Sequence, residues 1–150
     1  MDILIGCSGF YYKDWKEAFY PEDLPSEKWL EFYASVFNSV EINNSFYKIP
    51  EKKDLRTWVE NTPDNFRFIF KGSRYITHMK KLKKDQRLLE AVDDFYGRLE
   101  PILSKTAGIL WQFPANFPMD PDRIESFATH LSRDIPNFLE FRKPEWFSQD

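Results

Sequence analysis

Hydrophobic positions along this chain fall into five short runs: Ile3-Leu4-Ile5-Gly6-Cys7-Ser8, Ser39-Val40-Glu41-Ile42-Asn43, Phe66-Arg67-Phe68-Ile69-Phe70-Lys71, Gly108-Ile109-Leu110-Trp111-Gln112 and Phe138-Leu139-Glu140-Phe141-Arg142. Each turns polar toward its C-terminal end. The runs predict strands near residues 2–8, 38–44, 66–71, 107–112 and 138–142. Between them the period changes. Trp29, Leu30, Tyr33, Val36 and Phe37 predict a helix over residues 26–37, and Leu88, Leu89, Val92, Phe95, Tyr96 and Leu99 predict another over 85–99. Leu55, Trp58 and Val59 mark a shorter helix over 52–61. Asp120-Pro121 supplies an N-cap and first-turn proline for a fourth helix through Ile124, Phe127, Ala128 and Leu131. Pro101 should break the third helix, and Pro144-Glu145-Trp146-Phe147 begins a further one.

Strand and helix in strict alternation predict an α/β fold in which helices cover a parallel sheet. In the open doubly wound sheet and in the closed eight-stranded barrel alike, ligands sit at the carboxyl ends of the strands, where the polar residues of this chain collect. The barrel is favoured, because central strands of an open sheet read as continuous hydrophobic runs, whereas here one face of every strand becomes polar. The expectation is a TIM-barrel-like fold. A full barrel takes about 250 residues. The 150 residues are therefore expected to be a single domain, residues 1–150, forming the N-terminal part of a barrel with its first five strands.

Side chains alternate faces along a strand, so Glu41 shares a face with Asn43, and Glu140 shares one with Arg142. A carboxylate inside an apolar run is costly unless paired or used, which makes these positions the first candidates for function. Composition adds little to this picture: 42% hydrophobic and 18% aromatic residues suit a folded domain with one core. No apolar run of about 18 residues predicts a membrane span, and no leader-like segment precedes the first strand, so a soluble, cytoplasmic protein without membrane contact is expected. Cys7 is the sole cysteine, which excludes an intramolecular disulfide, and its parity points it toward the helices as a small core residue.

The ordered motifs Gly9-Phe10-Tyr11-Tyr12 with Trp15, Phe19-Tyr20-Pro21, Leu24-Pro25, Val40-Glu41-Ile42-Asn43, Phe46-Tyr47, Phe70-Lys71, Ser73-Arg74, Ile76-Thr77-His78, Gln112-Phe113-Pro114 and Glu140-Phe141-Arg142 with Trp146 span nearly the whole chain. With these motifs the sequence resembles the YecE-like family, also called the domain of unknown function 72. The resemblance implies a TIM-barrel-like fold that continues beyond these residues. It implies no established activity. Two departures from the family pattern stand out: Lys143 where a histidine is common, and Ala115 where a second proline often follows.

Candidate chemistry follows from residue type and place. Glu41 and Glu140 could serve as general acid and base, or could each form an internal ion pair, Glu140 with Arg142 or Lys71. Lys71 suits an anion, a Schiff base, or a pair with Glu41, and Arg142 offers a planar fork for an anion. His78, in the loop after the third strand, is a candidate for acid–base work, whereas His130 should be solvated. Ser8, Asn43 and Gln112 complete a set of substrate ligands expected to converge on one pocket. Tyr12, with Phe10, Tyr11 and Trp15, would form an aromatic rim. Glu41, His78 and Glu140 lack any compact metal-binding spacing, so no metal is assigned, and no motif names a cofactor.

Three functional classes remain open. The first is an enzyme, a hydrolase or lyase, acting on a small polar or anionic substrate. The second is a nucleic-acid-binding or processing protein using Lys80-Lys81-Leu82-Lys83-Lys84, against which the net charge of -3 weighs. The third is a noncatalytic ligand sensor or scaffold.

Overall fold

Five strands form a single parallel sheet in the order β1 to β5: β1 (Gly6–Ser8), β2 (Ser39–Ile42), β3 (Arg67–Lys71), β4 (Thr106–Gln112) and β5 (Asn137–Glu140). This computed structural model describes residues 3–148. Four α-helices alternate with the strands: α1 (Trp29–Val36), α2 (Lys52–Glu60), α3 (Gln86–Leu99) and α4 (Pro121–Ala128). The alternation read from the sequence is therefore present as α/β architecture. Among the described residues the sheet stays open, with β1 and β5 at its edges.

Parity along the strands decides which face is dry. Val40, Phe68, Phe70, Ile109 and Trp111 are at most 1% exposed and lie against the helices. Each such side chain stabilises by about 1.5–3 kcal/mol on burial. Trp58 of α2 stacks on Phe68 at 5.9 Å, while Trp111 meets Phe95 of α3 at 5.2 Å and Phe127 of α4 edge-on at 5.1 Å. Cys7, paired with Val40, is half-buried on this helix side, as its parity predicts. The opposite face carries Glu41, Ile69, Lys71, Leu110, Gln112 and Glu140.

Side-chain amides finish what the strands begin. Asn137 accepts from the Tyr96 hydroxyl at 2.7 Å and the Trp111 indole at 2.9 Å, and donates to the Ser132 and Ile135 carbonyls. It thereby ties α3, β4 and the loop before β5. Lys105 is 7% exposed, and its ammonium donates to the carbonyls of Val59, Thr62 and Pro63 and to the Thr62 hydroxyl at 2.7–3.2 Å. A buried cation is stable here because its donors meet acceptors at the C-terminal end of α2, where cations are favoured.

Several sequence-predicted boundaries move. The first strand was expected over residues 2–8, but β1 covers Gly6–Ser8 and Met1-Asp2 lie outside the described residues. Ile3 and Ile5 are 72% and 61% exposed, and the Asn38 side chain binds the Ile3 carbonyl and the Ile5 amide in place of a neighbouring strand. Asn43 and Arg142 fall just past their strands, Asn43 opening a 3-10 turn at Asn44–Phe46. A 3-10 turn at Ser26–Lys28 precedes α1, and Pro144–Phe147 is a 3-10 turn rather than a full helix start. Asp85 and Asp120 cap α3 and α4 by accepting from the Leu88 and Arg123 amides. The chain after Leu99 tightens into a 3-10 segment, Glu100–Lys105, because Pro101 has no amide hydrogen to continue α3.

Candidate functional site

On the face away from the helices, β4 and β5 bring Gln112 beside Glu140 in direct register. The Gln112 side-chain nitrogen donates to both Glu140 carboxylate oxygens, at 2.7 and 2.9 Å. Arg142, one turn of the pleat further on, donates from Nε to the same carboxylate at 3.1 Å. Burial pushes the Glu140 carboxyl up, but the bonds from Gln112 and Arg142 and the charges of Arg142 and Lys71 together hold it below the usual carboxylate range. The pair expected from sequence thus forms with Arg142. Gln112 is its third member, itself only 8% exposed.

After β3 the chain turns through a short π-helix, Tyr75–Met79, which carries His78 back over the strand end. Its ring meets Phe46 edge-on at 4.9 Å, and the Lys71 ammonium lies 5.4 Å from the centre of the same Phe46 ring. Lys71 was a candidate partner for Glu41; among the described residues no ion pair joins them, and the ammonium sits against an aromatic face instead. Burial, then the like charges of Arg74, Arg142, Lys71 and Lys81, push the His78 imidazole below its ordinary value of 6.5. The ring's Nδ1 lies 2.9 Å from the Thr77 hydroxyl, which also reaches the Ser73 carbonyl at 3.1 Å. Arg74, Thr77 and Phe46 belong to the recognised motifs, yet sequence reasoning did not place them in the site. The signal available was their position just beyond strand ends.

Glu41 pairs in register with Ser8 on one side and Ile69 on the other, and is half-buried. Among the described residues no side-chain hydrogen bond or ion pair engages it. No group of three or more His, Cys, Asp or Glu side chains among the described residues is placed to hold a metal ion. His130, beyond α4, is exposed and lies near the Ser126 carbonyl and the Thr129 hydroxyl.

Tyr12 and Asn43 line a separate cleft of about 440 Å³, bounded by the loop after β1, the end of β2 and helices α1 and α2. Glu41, Lys71, His78, Gln112, Glu140 and Arg142 are not among its lining residues. Gly9 permits the loop's sharp exit from β1, with φ of +106°, and the Tyr12 hydroxyl folds back to the Ser8 carbonyl. Tyr20, wholly buried, donates its hydroxyl to the Phe10 carbonyl. Burial, aided by Cys7, pushes the Tyr20 phenol up to about 12. The lysine run is partly engaged: Lys80 pairs with Asp85 at 2.7 Å and Lys81 donates to Asn116 at 3.0 Å.

A family model described as protein of unknown function DUF72 matches residues 4–150 of this chain. The chain belongs to the DUF72 family. Among curated DUF72-type relatives, the UPF0759 protein YunF of Bacillus subtilis is 35% identical over 97% of this chain and 52% of its own length. The UPF0759 protein YecE of Escherichia coli K12 is 32% identical over 80% of this chain and 43% of its own. A crystal structure of a DUF72 family protein from Thermotoga maritima superposes with a TM-score of 0.79 at 29% identity, covering 97% of this chain and 58% of that one. A DUF72 structure from Enterococcus faecalis, at 24% identity and a TM-score of 0.75, shares the fold. The chain spans about half the length of the curated relatives it matches. No helix among the described residues is long and apolar enough to cross a membrane.

Proposed function

We propose that this DUF72 chain supplies the first five strands of a closed TIM-type barrel, and that their carboxyl ends carry part of an enzymatic site for a small anionic substrate. The uncrossed parallel order supports the barrel, since sequential parallel neighbours are the arrangement that closes on itself.

The charge around His78 carries the substrate class. Arg74, Arg142, Lys71 and Lys81 all act on its ring, and Glu140 is the single carboxylate paired with any of them among the described residues. An anion offsets that excess. Arg142, oriented by Glu140 and through it by Gln112, presents a planar donor, and Lys71 adds a point charge. Ser8 adds an uncharged hydrogen bond, while Gln112 acts through Glu140.

Proton transfer falls to His78 and Glu41. Given to the Ser73 carbonyl, the Thr77 hydroxyl proton leaves that oxygen to accept from Nδ1–H of His78, so the lone pair that serves as the base is on Nε2. Burial, then the neighbouring cations, hold the ring neutral, able to accept a proton. Glu140, held ionised, is a positioning residue, and Glu41 is the carboxylate that no side chain engages among the described residues. In a lyase step His78 would take the proton from the carbon beside the substrate's carboxylate or phosphate as the bond to a leaving group on the next carbon breaks, that group departing with the electron pair and taking a proton from solvent. In a hydrolase step His78 would take a proton from water as the water oxygen attacks and the leaving group departs.

Calorimetric titration of the complete protein with inorganic phosphate and with malonate tests the substrate class, and mass spectrometry of any copurifying small molecule supplies the substrate. Arg142→Gln and Lys71→Gln should each weaken anion binding about tenfold. His78→Gln should retain binding and lose turnover, whereas a sensor binds without turnover in the parent. Anion binding indifferent to both cation variants sinks the reading.

A further inference from the structure

The cleft beside the β1 loop has the opposite character to the charged cluster. Its volume of about 440 Å³ suits a small molecule. No lysine or arginine lines it, and Glu27 is its charged lining residue. An anionic ligand finds no cation here to offset its charge, and Glu27 repels it.

Rings form much of the wall, and each is held by a neighbour. Phe10 meets Trp58 edge-on at 5.7 Å, Tyr11 packs on Trp29 at 4.9 Å, and Tyr12 packs on Trp15 at 4.8 Å. Trp29 and Trp15 do not line the cleft, so they back the tyrosines from outside it. Leu30 and Ile42, 5% and 4% exposed, add apolar lining from α1 and β2. Rings buttressed this way offer flat surfaces at low entropic cost.

Three of the polar lining groups are carboxamides. Asn43, Asn44 and Asn61 line the cleft, and among the described residues their side chains make no internal hydrogen bond. Asn38, Asn116 and Asn137, by contrast, are each engaged in holding the fold. A carboxamide offers a donor and an acceptor side by side, which matches the edge of a heterocycle carrying the same pair. Flat aromatic walls with free carboxamides are how unpaired bases are read, by stacking and by their hydrogen-bonding edges.

We infer that this cleft binds an uncharged, planar heterocycle with adjacent hydrogen-bond donors and acceptors, of the nucleobase or nucleoside kind and without phosphate. The site is separate from the proposed anion site and stands independently of it.

Isothermal titration calorimetry of the complete protein with adenosine, guanosine, cytidine and uridine, each beside its 5′-monophosphate, tests this. At least one nucleoside should bind saturably, its monophosphate no more tightly, and Asn61→Ala and Asn43→Ala should each weaken the nucleoside about tenfold. Tighter binding of the monophosphate overturns the inference, as do affinities unchanged in both variants, binding of glucose in place of every nucleoside, or no saturable heat at millimolar concentration. Should either variant fail to fold, saturation-transfer NMR on the parent decides: stronger transfer to base protons than to ribose protons supports the inference, and the reverse overturns it.

Discussion

The side-chain nitrogen of Gln112, at the end of β4, contacts both carboxylate oxygens of Glu140, at the end of β5, at 2.7 and 2.9 Å. Gln112 is nearly buried whereas the Glu140 side chain is 37% exposed, so a neutral amide fixes a charged group that faces outward. Removing the amide leaves Arg142 as the remaining side-chain partner of the carboxylate. Gln112→Ala should raise the Glu140 pKa toward the ordinary carboxylate value of 4.5, measured by NMR titration, and should cost about 1 kcal/mol at neutral pH after allowing for exposure. A depressed carboxyl stabilises the fold above its unfolded pKa and loses that contribution as pH falls through the folded one. The parent and Gln112→Ala should therefore converge in stability in acid; a gap that stays constant with pH contradicts this role.

His78 gives the opposite proton preference to a salt-bridged histidine. Its folded pKa lies below 6.5, so the unfolded chain takes up the proton first and stability declines as pH drops below about 6.5. Urea unfolding across pH 5 to 8 should show that decline in the parent and a shallower one in His78→Gln. Lys71→Met and Arg74→Gln each remove a like charge and should raise the His78 titration midpoint. A midpoint that falls in either variant refutes the electrostatic account.

Lys105 is held by three backbone carbonyls and the Thr62 hydroxyl at the end of α2. Replacing it with methionine keeps the stem and strands those acceptors, which should destabilise the protein by about 2–4 kcal/mol in denaturant unfolding. Burial pushes the ammonium pKa down. The stabilising contacts nevertheless belong to the charged form, and a loss below 1 kcal/mol would show that water replaces the ammonium freely.

Gly9 holds a φ that L side chains rarely adopt, and a Cβ there would lie 2.6 Å from the Tyr12 hydroxyl oxygen. Gly9→Ala should cost about 1–2 kcal/mol and displace Tyr12 from the Ser8 carbonyl. Ring-proton shifts of Tyr12 in NMR spectra report that displacement, and unchanged shifts count against it.

Strand and helix placement were legible in the sequence because they follow from period, whereas the sequential strand order depended on favouring a barrel over a doubly wound sheet. Phe68, Phe70, Ile109 and Trp111 share the buried parity; Ile69 and Leu110 between them are equally apolar, and it is the polar ends at Lys71 and Gln112 that mark the other face. The ends of elements were less legible. The first apolar run promised seven strand residues, yet β1 begins at Gly6, since Asn38 reaches Ile3 and Ile5 through its side chain. No local pattern encodes a side chain standing in for a strand.

The candidate site divides along the same line. That Glu41, Lys71, Gln112 and Glu140 share a face is a consequence of alternation, so residue type and parity sufficed. Which of them touch was settled by strand register and by the π-helix after β3: Gln112 meets Glu140 across one inter-strand spacing, whereas Lys71 turns to Phe46 and leaves Glu41 alone. Tyr12 and Asn43 were expected beside those groups, and the turn at Gly9 and the end of β2 carry them into the other cleft. The sequence determined the kinds of groups available and the face each strand gives them, because both depend on neighbours a few residues apart. The tertiary structure decided which groups meet across strands and loops, Gln112 with Glu140 and Phe46 with both Lys71 and His78, because no short pattern specifies the register and loop geometry that join them, whereas the Glu140–Arg142 pair, two residues apart, was already open to sequence reading.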